Sequence, residues 1–301
     1  MKDQAEKLRE IFEKFDNNAN IDLVDNLKNL SKNSARVITV TSGKGGVGKT
    51  NLTINLGIKL SQLGLKVIII DADLGLSNID VALGKTPKYN LSDVINYRKG
   101  ITEIMEDGPE GIKFISGGSG IQDLIKINKN QLANLLIQLG KLDEEADIIF
   151  IDTGAGISNN VLSFIYAAKE IILIATPEPT SITDAYALIK IISQKDKNKE
   201  IKLIINRAED AIEAENLLNK LNEVSEKFLG VKLNKLGYIL NDKNVPKAVK
   251  LQQPFILKFD KTEASRNISE IANTLLDNNS FKHDSHQGIR LFVNKLKWYF
   301  N

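Results

Sequence analysis

"VITVTSGKGGVGKT", Val37 to Thr50, decides how the rest of the chain is read. Its first half, Val37–Ser42, is a short run rich in β-branched residues, the pattern of a strand buried on both faces. Its second half, Gly43–Thr50, fits G-x-x-x-x-G-K-[ST] in full, and helical spacing follows over Thr50–Leu63. Strand, glycine loop and helix in that order make a phosphate cradle. The glycines let successive amides turn toward a phosphate chain, and the helix N-terminus adds positive potential. In such a loop Lys49 reaches the β- and γ-phosphates and Thr50 holds Mg²⁺. The expected nucleotide-binding residues are therefore Gly43, Lys44, Gly45, Gly46, Val47, Gly48, Lys49, Thr50 and Asn51.

Outward from this stretch the chain alternates apolar runs with amphipathic segments. The further runs are Lys66–Asp73, Ile112–Gly118, Asp147–Thr153, Glu170–Thr176, Ile201–Arg207 and Leu236–Asp242. They are nearly continuous in Ile and Val, without alternation, as strands of a parallel sheet are. Segments such as Thr180–Ser193 show helical spacing. The order predicts an α/β fold with a doubly wound, mostly parallel sheet and ligands at the strand C-terminal ends. This domain is expected over 35–276. A helical extension precedes it (1–34), a polar linker follows (277–288), and an amphipathic helix ends the chain (289–301).

Composition narrows the chemistry. The 301 residues include 40 basic and 38 acidic side chains, a net charge of +2, so any basic surface must be local. There is no cysteine, which excludes disulfides, iron–sulfur clusters and thiolate zinc sites. His283 and His286, the two histidines, fall in a polar stretch and read as linker residues. No apolar stretch approaches the roughly 20 residues of a membrane span, and no export signal is visible, so the expected location is the cytoplasm.

The loop carries a second lysine, Lys44, in "KGGVGKT". Read in isolation it would be an exposed loop lysine. With the rest of the loop it resembles the deviant Walker A motif of the MinD/ParA family of ATPases. The resemblance covers about Arg36 to Leu276 and implies ATP and Mg²⁺ as ligands. It further implies that Lys44 crosses to the nucleotide of a second subunit, so that the active form is an ATP-sandwich homodimer. "DADLGLSN" (Asp71–Asn78) looks like the family's first switch segment, with Asp73 orienting the attacking water and Asp71 near Mg²⁺. "FIDTGAGIS" (Phe150–Ser158) looks like Walker B running into the second switch, with Asp152 binding Mg²⁺ through water and the Gly154 amide sensing the γ-phosphate. Asn206 and Arg207, in "INR", match the positions that contact adenine. The catalytic residues so implied are Lys44, Lys49 and Asp73; the metal-binding ones are Thr50, Asp71 and Asp152. Asp80 and Asp93 read as helix caps.

Within that family "TPEPTSITDAYALIK" (Thr176–Lys190) looks like the FlhG branch, also called FleN or YlxH, the regulators of flagellar number. "DQAEKLR" (Asp3–Arg9) matches the element that FlhG proteins place at their N-terminus, which activates FlhF, a GTPase of the signal-recognition-particle type. The match implies an FlhF-type GTPase partner met by Asp3, Gln4, Ala5, Leu8 and Arg9. Asp3 can cap this helix, and a glutamine amide such as that of Gln4 can orient water in a GTPase site.

At the other end Ile289, Phe292, Val293, Leu296, Tyr299 and Phe300 share one helical face, with Trp298 flanking it and Arg290, Lys295 and Lys297 off it. An aromatic, basic amphipathic helix suits an anionic membrane surface, giving reversible association with the inner face of the cell membrane. The same stripe could fold into a groove of its own domain, and both can hold in different nucleotide states. The membrane-contact set is Ile289, Phe292, Val293, Leu296, Trp298 and Phe300.

A division-site ATPase of the MinD type fits the C-terminal helix equally but not "DQAEKLR". A ParA-type partition ATPase would want a basic dimer surface, and the near-neutral charge argues against nucleic acid as a partner. FlhG relatives also meet flagellar C-ring components and transcription factors, among which the sequence does not choose.

Overall fold

Each of the seven apolar runs forms a strand. The structure, a computed structural model, describes residues 34–73, 78–118, 128–277 and 288–300, the last without the Phe300 side chain. The expectations for Asp3, Gln4, Ala5, Leu8 and Arg9, for most of the linker and for the Phe300 side chain lie outside the described residues. The strands are β1 (Arg36–Thr41), β2 (Val67–Ala72), β3 (Glu106–Asp107), β4 (Lys113–Ile115), β5 (Ile148–Thr153), β6 (Glu170–Ala175), β7 (Glu200–Ala208) and β8 (Asn234–Leu240). They form one sheet in the order β3-β4-β2-β5-β1-β6-β7-β8. Neighbours run parallel except the two-residue β3, which is antiparallel to β4 at the edge.

The strands lack alternation because both faces are covered. Along β5, Ile149 and Ile151 enter one apolar core while Ile148 and Phe150 enter the other. The second core is closed by α1 (Lys49–Gln62), together with helices described below from the C-terminal part of the chain. Two short helices follow β2, α2 (Asn78–Leu83) and α3 (Leu91–Ile95). The first core lies under α4 (Lys129–Gly140), α5 (Leu142–Glu145), α6 (Asn159–Ala167), α7 (Pro179–Lys195) and α8 (Ala211–Leu229). Beyond β8, α9 (Asn244–Lys250), α10 (Phe255–Lys258) and α11 (Glu263–Asp277) return to the face of α1. From β1 the sheet grows both ways, β2 beyond β5 on one side and β6 on the other. A crevice therefore opens at the C-terminal end of β1, where doubly wound sheets bind their ligands.

The final helix, α12 (Ile289–Phe300), lies on α4 and α6. Ile289, Phe292, Val293 and Leu296 are buried in the first core, and the Phe292 ring stacks on Phe164 with centroids 6.3 Å apart. Each such side chain withdrawn from water contributes about 1.5–3 kcal/mol. The amide of Ile289 donates to Asp143 Oδ1 at 3.0 Å, which also accepts from Ala35 at 3.2 Å, so one carboxylate tethers the start of α12 to the start of the sheet. The Arg290 guanidinium crosses Gly140 so closely that a Cβ there would lie 1.8 Å from Nε. In this structure the stripe expected to meet a membrane is thus seated in a groove of its own domain, while Trp298, on the outer side, is 71% exposed.

Candidate nucleotide-binding site

Several helix starts in this chain are closed by side chains. Asn90, Asn128, Ser158 and Asp210 cap α3, α4, α6 and α8 by accepting first-turn amides. Helix α1 has no such cap: its N-cap is Gly48 in a left-handed conformation, with no side-chain bond and no acidic residue in the first turn. Its leading amides and dipole are left for an anion. The loop before it needs its glycines. Gly46 and Gly48 take φ of +77° and +94°, and a Cβ on Gly43 would lie 2.4 Å from the backbone of Asp184 in α7. A Cβ on Gly48 would meet the Asn206 amide at 2.6 Å.

Lys49, the first residue of α1, is buried. Burial lowers its pKa, while Asp152 and Asp73 oppose that shift through charge. Thr50 donates to Asp152 Oδ2 at 2.6 Å, which joins the start of α1 to the end of β5. Asp152 stands directly across from Asp71 in the register of β5 and β2. Burial drives the Asp152 carboxyl up to about 7; the Thr50 hydrogen bond opposes this, Asp71 reinforces it, and Lys49 opposes it. Asp71 is pushed up to about 6 by burial, against the amides of Asp73, Asn78 and Ile79 that it accepts. Asp73 accepts from Asn78 Nδ2 at 3.0 Å, and a Cβ on Gly154 would lie 3.3 Å from its Oδ1. The stretches that follow β2 and β5 therefore meet at Asp73 and Gly154, and the Gly156 amide donates to the Ser42 carbonyl at 2.9 Å.

The residues fit a hydrated divalent cation. Among the described residues no group of three or more carboxylate, imidazole or thiolate side chains could cage a metal by itself. Mg²⁺ keeps several waters and takes one or two protein ligands beside phosphate oxygens, for which the Thr50 hydroxyl and Asp152 suffice. Two adjacent buried carboxylates whose charged forms burial disfavours are a setting in which a nearby cation is favourable.

Beside the loop lies a cleft of about 320 Å³, lined by Gly48, Asn51, Asn206 and Arg207 and by residues beyond β8, among them Asp242 and Pro246. Asn206 donates to the Val47 carbonyl at 2.7 Å, so it props the loop as well as facing the cleft. Arg207 sits in a register irregularity of β7 with φ +62°, a left-handed conformation uncommon for a side-chain-bearing residue. The wall after β8 was not read as part of the site: "LGYILND" reads as a strand end, and nothing local says which pocket its turn will close. Lys44 points away from the cradle. Its Nζ lies 2.5 Å from Glu178 Oε2 and 3.0 Å from Thr180 Oγ1, at the exposed rim formed by the start of α7. Asp93 closes a capping box on Asn90, as the sequence suggests, while Asp80 lies inside the first turn of α2 and accepts from the adjacent Val81 amide.

Known proteins share this arrangement. Residues 38–255 match the family described as CobQ/CobB/MinD/ParA nucleotide binding domain. Antiactivator FleN of Pseudomonas aeruginosa is 40% identical over 242 residues, covering 80% of this chain and 86% of FleN. The flagellum site-determining protein YlxH of Helicobacter pylori is 33% identical, covering 84% and 88%. Among solved structures, the MinC:MinD cell division protein complex of Aquifex aeolicus superposes with a TM-score of 0.64 at 26% identity, covering 80% of this chain and 96% of that one. With its deviant loop, paired strand-end aspartates and parallel sheet, the chain belongs to the CobQ/CobB/MinD/ParA family of nucleotide-binding domains, in the group that holds FleN and YlxH.

Proposed function

We propose that the chain is an ATP-driven dimerisation switch that regulates the number or placement of flagella. The observation that carries the switch is Lys44: alone among the loop's functional side chains it leaves the cradle and lies at an exposed rim on Glu178, and in this reading it is assigned to the nucleotide of a second copy. Lys49 neutralises charge on the β- and γ-phosphates, Asp73 orients the attacking water, and the Gly154 amide reports the γ-phosphate. Mg²⁺, held by Thr50 and through water by Asp152 with Asp71 nearby, supplies further charge neutralisation when bound. Asn206 and Arg207 face the base. Hydrolysis is then a matter of positioning and electrostatics, slow in one subunit and promoted by the partner's Lys44. The expected outcome for Lys44→Ala is intact ATP binding with loss of ATP-dependent dimers in analytical ultracentrifugation; a variant that still dimerises refutes the sandwich.

The flagellar assignment rests on FleN and YlxH. In this reading the segment Asp3–Arg9 activates an FlhF-type GTPase, and α12 leaves its groove on dimerisation to bind an anionic membrane, two helices per dimer giving avidity. A peptide spanning Met1–Asn20 is expected to stimulate GTP hydrolysis by the cognate GTPase, and its Gln4→Ala form is not. Failure of both peptide and full chain would favour the second reading, a division-site ATPase, which the likeness to MinD supports.

A further inference from the structure

The outer side of docked α12 does not look like a surface made only for water. The C-terminal ends of α6, α7 and α12 meet at one corner. Tyr299 leans on Tyr166 of α6 with ring centroids 5.2 Å apart, and Trp298 stands edge-on to Tyr299 at 5.2 Å. Lys195, in the last turn of α7, places Nζ 5.8 Å from the Trp298 ring and 5.7 Å from that of Tyr299. Lys199 fastens the corner from beneath, donating to the carbonyls of Tyr166 and Ala168. Lys195 and Lys197 are exposed, and Lys297 is half-buried. Close by in sequence Asp196 is acidic but is drawn to Lys199 at 3.6 Å, while Glu170 and Glu200 turn inward to Lys202. The chain as a whole carries a net charge of only +2, so this positive excess is local.

Lysines at helix C-termini are explained by the carbonyls and dipoles they offset. An indole left 71% exposed among them is not, because a dipole has no use for it. Indole and ammonium side by side are the pair that suits the interface of an anionic bilayer, the ring at headgroup depth and the lysines on phosphate. We propose that this corner is a binding face for an anionic lipid surface, so that the chain touches the membrane with α12 still docked. Lys195 of α7 and Lys197 just beyond its end add to the charge that α12 carries, and release of α12 on dimerisation then occurs already at the surface. The proposal rests on the membrane reading above but assigns the first contact to the folded-back monomer and to Lys195 and Lys197, which lie outside α12. A polyanion such as single-stranded DNA is disfavoured because it wants a row of stacking rings along a groove, and here one ring is exposed.

Trp298 is the only tryptophan of the chain, so its emission reports on this corner directly. The experiment uses full-length Lys44→Ala protein, held monomeric, with vesicles of phosphatidylglycerol and phosphatidylcholine. The expected result is a blue shift and reduced acrylamide quenching with the anionic vesicles alone, with apparent affinity falling about thirtyfold in a Lys195→Gln/Lys197→Gln background. No shift in the monomer, with a shift in wild-type protein plus ATP, would overturn the proposal and leave the dimer-released helix standing. No shift in either would remove both. A shift with oligo-dT but not with vesicles would overturn it in favour of a nucleic acid. A shift unaffected by the double substitution would return the contact to α12 itself.

Discussion

Two clusters of buried charge sit on the same sheet, at opposite ends of its strands. At the N-terminal ends Arg36 of β1 forks onto Glu170 of β6 with bonds of 2.8 and 2.6 Å, and gives a third to the Leu275 carbonyl at 3.1 Å. Lys202 of β7 joins Glu170 at 3.0 Å and also bonds Glu200. Burial pushes the Glu170 carboxyl up, but Arg36 and Lys202 outweigh it and hold it below the usual carboxylate range. At the C-terminal ends Asp71 and Asp152 are also buried, side by side, and their pKa values go the other way, to about 6 and about 7. The difference separates scaffold from site. The first cluster is complete without any ligand. The second sets two buried carboxylates side by side with no cation forked onto them as Arg36 is onto Glu170, next to a helix start without a side-chain cap, an arrangement suited to a cation and an anion together.

The largest expected effect is at the complete cluster. Glu170→Gln leaves Arg36 and Lys202 buried with too little negative charge, and a loss of about 3–5 kcal/mol in urea unfolding is expected, with nucleotide affinity of the folded protein unchanged. At the incomplete cluster the effect is on ligand. Lys49→Ala is expected to weaken ATP binding by calorimetry at least a hundredfold while costing little stability, since burial of this charge outweighs what Asp152 and Asp73 return. The pH dependence of the unliganded protein is expected to carry the signs of both clusters. A carboxyl with a raised folded pKa allows full stability below its ordinary pKa of 3.8, and that stability is lost as pH rises through the folded value, here from about 4 to about 7. Glu170, with its lowered pKa, contributes fully above its ordinary value, and that contribution is lost as pH falls through the lowered folded value. Thermal melts without nucleotide are expected to peak at mildly acidic pH and to flatten toward neutrality with saturating Mg²⁺–ATP. The smallest effect is at the rim. Glu178→Gln breaks an exposed ion pair with Lys44 and is expected to leave the melting temperature unchanged.

The site cluster was legible in the sequence and the scaffold cluster was not. Gly43–Thr50, Asp71, Asp73, Asp152 and Asn206 stand at strand ends or in one loop, and their short-range wording gives them away. Arg36 and Glu170 open β1 and β6 and Lys202 is third in β7, and Glu170 lies 134 positions from Arg36; only the sheet order makes them neighbours. The seven apolar runs marked their strands because burial on both faces favours apolar residues on both sides of each strand. The two-residue β3, "ED", had no such signature and follows from its neighbour β4. For α12 the stripe was readable but not its resting place, because an apolar face does not say whether protein or lipid will cover it. The prop from Asn206 to Val47 was hidden for a similar reason: an amide at a strand end names no partner across 159 residues.

Unfolding of Asp152→Asn in urea at pH 8, with and without Mg²⁺–ATP, tests the division between scaffold and site most directly. The expected result is a midpoint without ligand at or above that of the unsubstituted chain, since a carboxylate burdened by burial has been removed, and loss of most of the stabilisation that Mg²⁺–ATP confers. A ligand-free loss of several kcal/mol, like that expected for Glu170→Gln, would make Asp152 part of the scaffold and contradict the account.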